Sequence, residues 1–322
     1  MRRRKGWPAR AATAVVCLVA YLTLWESASA QNVATALAAS ALQHAVTSAM
    51  NGKRGAAVVI DVATGRVLAA YHLEVAARRV ALPGSSIKTF TLLALLEAGK
   101  VNEQTKLMCK RPLTVGGHRL DCTHPDMKQP FDPTTALAYS CNSYFTTVAT
   151  RLTPAELRNG FLKYGFGSAS GLAPDEASGS VELAGTQAEL QLEAIGEGGM
   201  RVTPLQLLRG YQNLARLAPK HEMKLAPIFA GLEGSVSYGM GHLAQPDAAM
   251  KVAGKTGTSL VDEGTWRHGW FAGYAPAANP EMALVVFLEK GNGPTDAAGV
   301  AREIFGAYAA DRGQSVAPGT SR

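Results

Sequence analysis

The sequence predicts an α/β protein of α+β type: a five-stranded antiparallel sheet flanked by helices, with an inserted all-α lobe. Two observations carry this reading. β-Rich runs gather at both ends of the chain, a hairpin signal near residue 61 and three runs between residues 251 and 289. The stretch between them, about residues 130–245, is mostly helical pattern broken by Gly and Pro. Strands so far apart complete one sheet when the intervening chain is set aside as a lobe, which leaves a cleft where lobe meets sheet. At 322 residues, 47% hydrophobic and 18% charged, the chain is long enough for a core without staples, and a disordered or collagen-like chain is excluded.

In order along the chain, Arg2, Arg3, Arg4, Lys5 and Arg10 precede an apolar run from Ala11 to Trp25, followed by Ala28-Ser29-Ala30. This is the layout of a secretory signal, with cleavage expected after Ala30. The apolar run is fifteen residues, shorter than the ~20 usually needed to span a bilayer; the alternative is an uncleaved anchor over residues 11–25. Residues 1–30 hold five basic residues and Glu26, so four of the seven net positive charges belong to the leader and +3 remains. The basic balance is therefore mostly targeting, and no nucleic-acid partner is expected. The expected location is outside the cytoplasm, in the periplasm or on the outer face of the cytoplasmic membrane.

A catalytic domain is expected over residues 31–312, with residues 313–322 as a disordered tail. Residues 32–50 read as a helix from the spacing of Val33, Leu37, Leu42 and Val46. Gly55–Ile60 and Arg66–Tyr71 form a hairpin through Asp61-Val62-Ala63-Thr64-Gly65. A strongly apolar helix, Ser86–Ala98, follows Pro83-Gly84 and closes at Gly99. Lys251–Thr258, Gly269–Ala275 and Met282–Glu289 read as a three-strand meander, and Asp296–Ala310 as a final amphipathic helix. The first and last helices are expected on one face of the sheet.

Three short motifs sit at the junctions of this layout. In Ser85-Ser86-Ile87-Lys88, the serine falls at a helix start, where free N–H groups favour developing negative charge. Lys88 is three residues on, one turn below, and can act as a base if burial lowers its pKa. Taken alone, the plain reading is a capped helix with a surface lysine. Ser140-Cys141-Asn142 puts a hydroxyl and a carboxamide two residues apart before a helix, able to relay a proton and hold an amide, or merely to cap. Lys255-Thr256-Gly257-Thr258 lies in a strand, where a glycine is costly unless a backbone or ligand approaches closely. The bland alternative is a glycine bulge with an exposed lysine.

Together, in this order, the three motifs resemble those of the penicillin-binding proteins and class A β-lactamases, and the chain resembles the transpeptidase domain of the class B penicillin-binding proteins in particular. Ala57-Val58-Val59-Ile60-Asp61 with Thr64-Gly65, Tyr164-Gly165-Phe166-Gly167, Ile195-Gly196-Glu197-Gly198, Thr203-Pro204-Leu205-Gln206 and Gly269–Pro276 extend the likeness over about residues 33–310. The resemblance implies a serine D,D-transpeptidase acting on the D-Ala-D-Ala stem peptides of peptidoglycan, without a cofactor. It assigns Ser85 as nucleophile, Lys88 as its base, Ser140 as proton relay under the field of Lys255, and Asn142 as holder of the substrate amide. Thr256 and Thr258 would bind the terminal carboxylate, and the amides of Ser85 and Thr258 would form the oxyanion hole. Substrate would lie along the strand as an added segment, which is the reading given to Gly257, and β-lactam antibiotics would be trapped on Ser85.

Class B members carry a large pedestal before this domain, whereas about 25 residues separate the expected leader from the first strand here. That favours a free-standing transpeptidase or D,D-carboxypeptidase. A β-lactamase of class A needs Glu-x-x-Leu-Asn, and Glu156 with Leu157-Arg158-Asn159 has the wrong spacing. A class D-like enzyme needs an aliphatic residue at the Asn142 position. A non-turnover β-lactam-binding or sensor protein is the reading of another class, and the three intact motifs weigh against it. Cys109 and Cys122 flank a hairpin signal at Gly116-Gly117 and are expected as a disulfide in an oxidising compartment. A zinc site formed with His118 and His124 is the weaker reading because the spacing is poor, so no metal is expected. Cys141 would remain a buried thiol.

Overall fold

A computed structural model describes residues 41–261 and 266–316; the expected leader, the first part of the first helix and residues 317–322 lie outside the described residues. Helix α1 (41–49) leads into the hairpin β1 (Gly55–Asp61) and β2 (Val67–Tyr71), then α2 (Leu73–Arg78). A 3₁₀ turn over Gly84–Ile87 runs into α3 (Lys88–Glu97). A small hairpin, β3 (Thr114–Val115) and β4 (His118–Arg119), precedes α4 (Pro133–Ala138), α5 (Asn142–Ala149) and α6 (Pro154–Lys163). The lobe continues with β5 (Ser180–Val181), α7 (Gln187–Ile195), β6 (Met200–Arg201), α8 (Pro204–Leu217) and α9 (Ala226–Ser237). The meander β7 (Ala253–Leu260), β8 (Arg267–Ala275) and β9 (Met282–Leu288) then leads to α10 (Ala298–Val316).

The sheet has the order β2-β1-β9-β8-β7, antiparallel throughout, so the last strand of the meander joins the front hairpin and β7 stands at an edge. Register from Gly55↔Leu288 to Asp61↔Met282 fixes this closure. Alternation along β1 then sorts two cores. Ala57 and Val59 pack with Leu42 and Val46 of α1 and Ile304 and Phe305 of α10 on one face, as expected for the terminal helices. Ala56, Val58 and Ile60 face the helical lobe on the other.

The lobe's helices start where local chemistry satisfies their free amides. Thr153 with Glu156, Thr186 with Glu189 and Thr203 with Gln206 form reciprocal capping boxes, and Pro154 and Pro204 occupy first helical positions. Helix α3 is buried all round, from Lys88 to Leu96, so apolar residues occupy every face from Leu92 on while Lys88, Thr89 and Thr91 find buried partners. It ends as the sequence predicts: Gly99 takes a left-handed φ of 66°, and the Lys100 amide returns to the Leu95 carbonyl at 2.8 Å. One boundary differs. The chain is helical to Val316, so residues 313–316, read as tail, continue α10. Among the described residues no helix is long and apolar enough to cross a membrane.

Candidate active site

The 3₁₀ turn before α3 sets the first motif. The Lys88 amide donates to the Ser85 carbonyl, so Ser85 and Lys88 eclipse on one side of a three-residue turn. The turn is pinned from below: Ser86 Oγ donates to the Pro83 carbonyl at 2.7 Å, and Tyr211 donates to the Ser86 carbonyl at 3.0 Å. It is pinned to the sheet by Ser259 Oγ, which donates to the Leu82 carbonyl at 2.7 Å. Gly84 has φ of 52°, and a Cβ there would stand 2.4 Å from the Thr258 carbonyl oxygen. The turn that carries Ser85 and the edge strand are therefore in backbone contact, which brings Ser85 beside Thr258.

Ser140 sits at the end of α4 with φ of 56°, in a region that non-glycine residues seldom adopt. The hydrogen bonds explain how it is held. The Ser140 amide donates to the Leu137 carbonyl at 3.2 Å and the Cys141 amide to the Ala136 carbonyl at 3.0 Å, the pattern of a helix end that glycine normally occupies. This strained position sets the serine hydroxyl 3.3 Å from Lys88 Nζ. Ser140→Gly is accordingly expected to raise the unfolding free energy by about 1 kcal/mol while slowing acylation of Ser85. Denaturant unfolding and a labelling time course on the same preparation check both halves.

Lys88 joins the first two motifs. It is fully buried; its Nζ donates to the Ser140 carbonyl at 2.8 Å and to Ser140 Oγ at 3.3 Å, and it bonds Asn142 Oδ1. The other end of the Asn142 carboxamide donates to the Leu120 carbonyl at 2.9 Å, so this residue ties the lysine to the wall formed by β4. Burial pushes the Lys88 ammonium down from 10.5 to about 8, against the opposing pull of Cys122, Cys141 and Glu197. Lys255, also fully buried, donates to the Thr256 carbonyl at 2.9 Å; burial, and then the charge of Lys88, hold it well below its ordinary value. Neither lysine is the surface residue of the bland readings.

Ser85, Ser140, Asn142, Thr256, Gly257 and Thr258 line one cleft of about 730 Å³, with Lys88 and Lys255 beneath it. Thr258 Oγ1 accepts from the Gly293 amide at 3.0 Å, which leaves its hydroxyl proton to donate into the cleft. Of the two approaches expected at Gly257, a backbone or a ligand, the structure supplies the backbone. Its Cβ would meet the Pro83 carbonyl oxygen at 2.6 Å and the Ser86 nitrogen at 2.9 Å, so the turn that carries Ser85 is by itself enough to demand the glycine. A cavity of similar size, about 770 Å³, lies between α10 and residues 243–248 and holds no nucleophile.

Several lining residues carry no motif of their own. Glu197, visible in sequence only as part of a glycine-bounded run, lines the cleft, and burial pushes its carboxyl up to about 7 against the pull of Lys88 and Arg267. Arg119, Asp121 and Thr123 come from β4 and the segment after it. The expected Cys109–Cys122 disulfide is corrected: both are free, with sulfurs 3.6 Å apart. The reason is that the sulfurs turn toward a shared centre with Cys141 and His124, all four ligand atoms lying within 4.8 Å of one another. His118, on the exposed β4, takes no part in it.

Residues 55–309 match the family model described as the penicillin binding protein transpeptidase domain. Curated relatives include the peptidoglycan D,D-transpeptidase FtsI of Buchnera aphidicola, 24% identical over 74% of this chain and 49% of the relative. FtsI of Escherichia coli is 26% identical over 79% and 50%, and MrdA of Acinetobacter baumannii 23% over 82% and 52%. The chain thus spans about half the length of these curated relatives. Among solved structures, Pseudomonas aeruginosa PBP2 in complex with WCK 5153 superposes with a TM-score of 0.73 at 24% identity, covering 83% of this chain and 76% of that one. The transpeptidase domain of Burkholderia pseudomallei penicillin-binding protein 3 gives 0.73 at 23%, covering 90% and 97%. These likenesses carry the sheet-and-lobe architecture.

Proposed function

Because the chain belongs to the penicillin-binding protein transpeptidase family, we propose that it is a serine D,D-transpeptidase that cross-links peptidoglycan stem peptides through an acyl-enzyme on Ser85. The observation that carries this reading is the convergence of Ser85, Ser140, Asn142, Thr256 and Thr258 on one cleft above two fully buried lysines. In its neutral form Lys88 takes the Ser85 proton as Oγ bonds to the carbonyl carbon of the penultimate D-Ala. The amides of Ser85 and Thr258 receive the oxyanion, the first from a helix-starting turn and the second from the edge strand. The C–N bond then breaks. Ser140, within reach of Lys88 Nζ at 3.3 Å, hands a proton to the departing D-Ala nitrogen. The hydroxyls of Thr256 and Thr258, above the buried Lys255, suit the terminal carboxylate. An acceptor amine completes cross-linking, and water would instead give the D,D-carboxypeptidase reaction.

The contacts of Lys88 weigh against a class D-like β-lactamase. That chemistry needs an apolar pocket around a carboxylated lysine, and here the Nζ is met by the Ser140 carbonyl and hydroxyl and the Asn142 carboxamide. Stem peptides would reach the cleft on the outer side of the cytoplasmic membrane, which fits the basic leader read in residues 1–30. The protein should label covalently with a fluorescent penicillin, and Ser85→Ala should abolish the label. Persistent labelling of that variant would remove Ser85 as the nucleophile. Release of D-Ala from a pentapeptide, with and without an acceptor amine, separates transpeptidation from hydrolysis.

A further inference from the structure

We propose that Cys109, Cys122, Cys141 and His124 form a tetrahedral zinc site that fastens the cleft wall to the Ser140-Cys141-Asn142 motif. Three of the six ligand–ligand distances match a metal tetrahedron, and all four ligand atoms lie within 4.8 Å of one another. With zinc about 2.3 Å from sulfur and about 2.0 Å from nitrogen, neighbouring sulfurs stand about 3.8 Å apart and sulfur stands about 3.5 Å from nitrogen. Cys109 Sγ is 3.6 Å from Cys122 Sγ, Cys122 Sγ is 3.8 Å from Cys141 Sγ, and Cys109 Sγ is 3.6 Å from His124 Nε2. Three sulfurs and one imidazole are a donor set that selects zinc over magnesium or calcium.

The surroundings are built for ligands rather than for thiols at rest. Cys122, Cys141 and His124 are buried. The Ser143 amide points at Cys122 Sγ and the Tyr144 amide at Cys141 Sγ, each at 3.4 Å, which stabilises thiolate charge. With the proton on Nδ1, which lies 2.7 Å from the Pro125 carbonyl, the Nε2 lone pair faces the sulfurs, and the Arg111 guanidinium then gives its hydrogen bond to the His124 carbonyl rather than to the ring. Arg111 Nη2, 2.9 Å from the same Nδ1, donates to the His124 carbonyl at 2.7 Å. Phe131 packs on the imidazole with ring centroids 4.9 Å apart. Binding releases three thiol protons and leaves a centre of charge −1, which the adjacent Arg111 guanidinium offsets. A Cys109–Cys122 disulfide would instead strand Cys141 as a third buried thiol against it.

The placement gives the site its role. Cys109, Cys122 and His124 bracket the β3–β4 hairpin, whose Arg119, Leu120 and Asp121 line the cleft. Cys141 stands between Ser140 and Asn142, both bonded to Lys88. The metal touches no reacting atom; it positions the motif. Metal binding stands without the acylation chemistry, whereas its effect on acylation rests on the proposed function.

Elemental analysis of the full chain, purified without chelator or added reductant, is expected to find about one zinc per chain. Cys109→Ser and His124→Ala should each lower this to below about a tenth, and His118→Ala should leave it unchanged. Should the ligand variants fail to fold, cobalt(II) loaded into chelator-stripped wild type must show thiolate charge-transfer and tetrahedral ligand-field bands. Metal-free protein with Cys109 and Cys122 linked in the unreduced mass spectrum would overturn the site. So would zinc content unaffected by Cys109→Ser, or an octahedral cobalt spectrum. Stripping the metal should also slow penicillin acylation by about 10–100-fold. Stoichiometric zinc in a protein that never acylates would uphold the site and count against the transpeptidase reading.

Discussion

Lys88→Ala is expected to slow acylation of Ser85 by about 10³-fold, the range typical of a lost general base. The lysine can serve as that base because burial lowers its pKa to about 8, so a usable fraction is neutral near physiological pH. The sign of the pH dependence follows. Only the neutral amine accepts the serine proton, so the acylation rate of the wild type should rise with pH through about 8 and then level off. Glu197→Gln removes a negative charge that holds the lysine up, so its midpoint should move to lower pH. Stopped-flow acylation by a chromogenic cephalosporin between pH 6 and 10 measures both profiles. A flat profile would transfer the base role to another group.

Much of this was legible in the sequence, for reasons that can be traced to particular residues. The strands were legible because the unbroken apolar runs Ala56–Ile60 and Met282–Leu288 report strands buried on both faces, and Gly99 because a helix end needs a left-handed residue. The three motifs were legible because two lie where a helix starts or ends and the third puts a glycine inside a strand, and tertiary packing brings them to one cleft. What could not be read depends on distances across the chain. The sulfurs of Cys109, Cys122 and Cys141 meet only because the β3–β4 hairpin folds back over the start of α5, and their separations follow no compact metal-binding spacing. His124 rather than His118 joins them because the latter sits on the exposed strand of that hairpin. The strain at Ser140 was equally hidden, since a serine in sequence gives no sign of a φ of 56°. Glu197 has an unremarkable neighbourhood in sequence and a buried one in space.

Gly257→Ala is expected to remove acylation by at least about 10²-fold, because a shift near 1 Å at the nucleophile is enough for a loss of that size. The added Cβ would stand 2.6 Å from the Pro83 carbonyl oxygen, 2.9 Å from the Ser86 nitrogen and 3.1 Å from Ser86 Cβ. Two of those three atoms are backbone and cannot rotate away. The turn has little freedom to retreat: the Gly84 amide is bonded to the Gly196 carbonyl at 3.0 Å, and Cβ positions at Gly84 and Gly196 are themselves blocked by backbone. Relief must come from separating β7 from the turn, at about 1–3 kcal/mol of stability. Had glycine been required only to admit a substrate strand, the variant would bind peptide poorly yet unfold like the wild type. Thermal unfolding therefore discriminates between the two reasons, and Gly299→Ala in α10, where a Cβ meets nothing within 4 Å, provides the control expected to keep both stability and labelling. A Gly257→Ala protein with wild-type unfolding and slow labelling would return the residue to a substrate role; lower stability together with lost labelling places the glycine at the contact that aims Ser85.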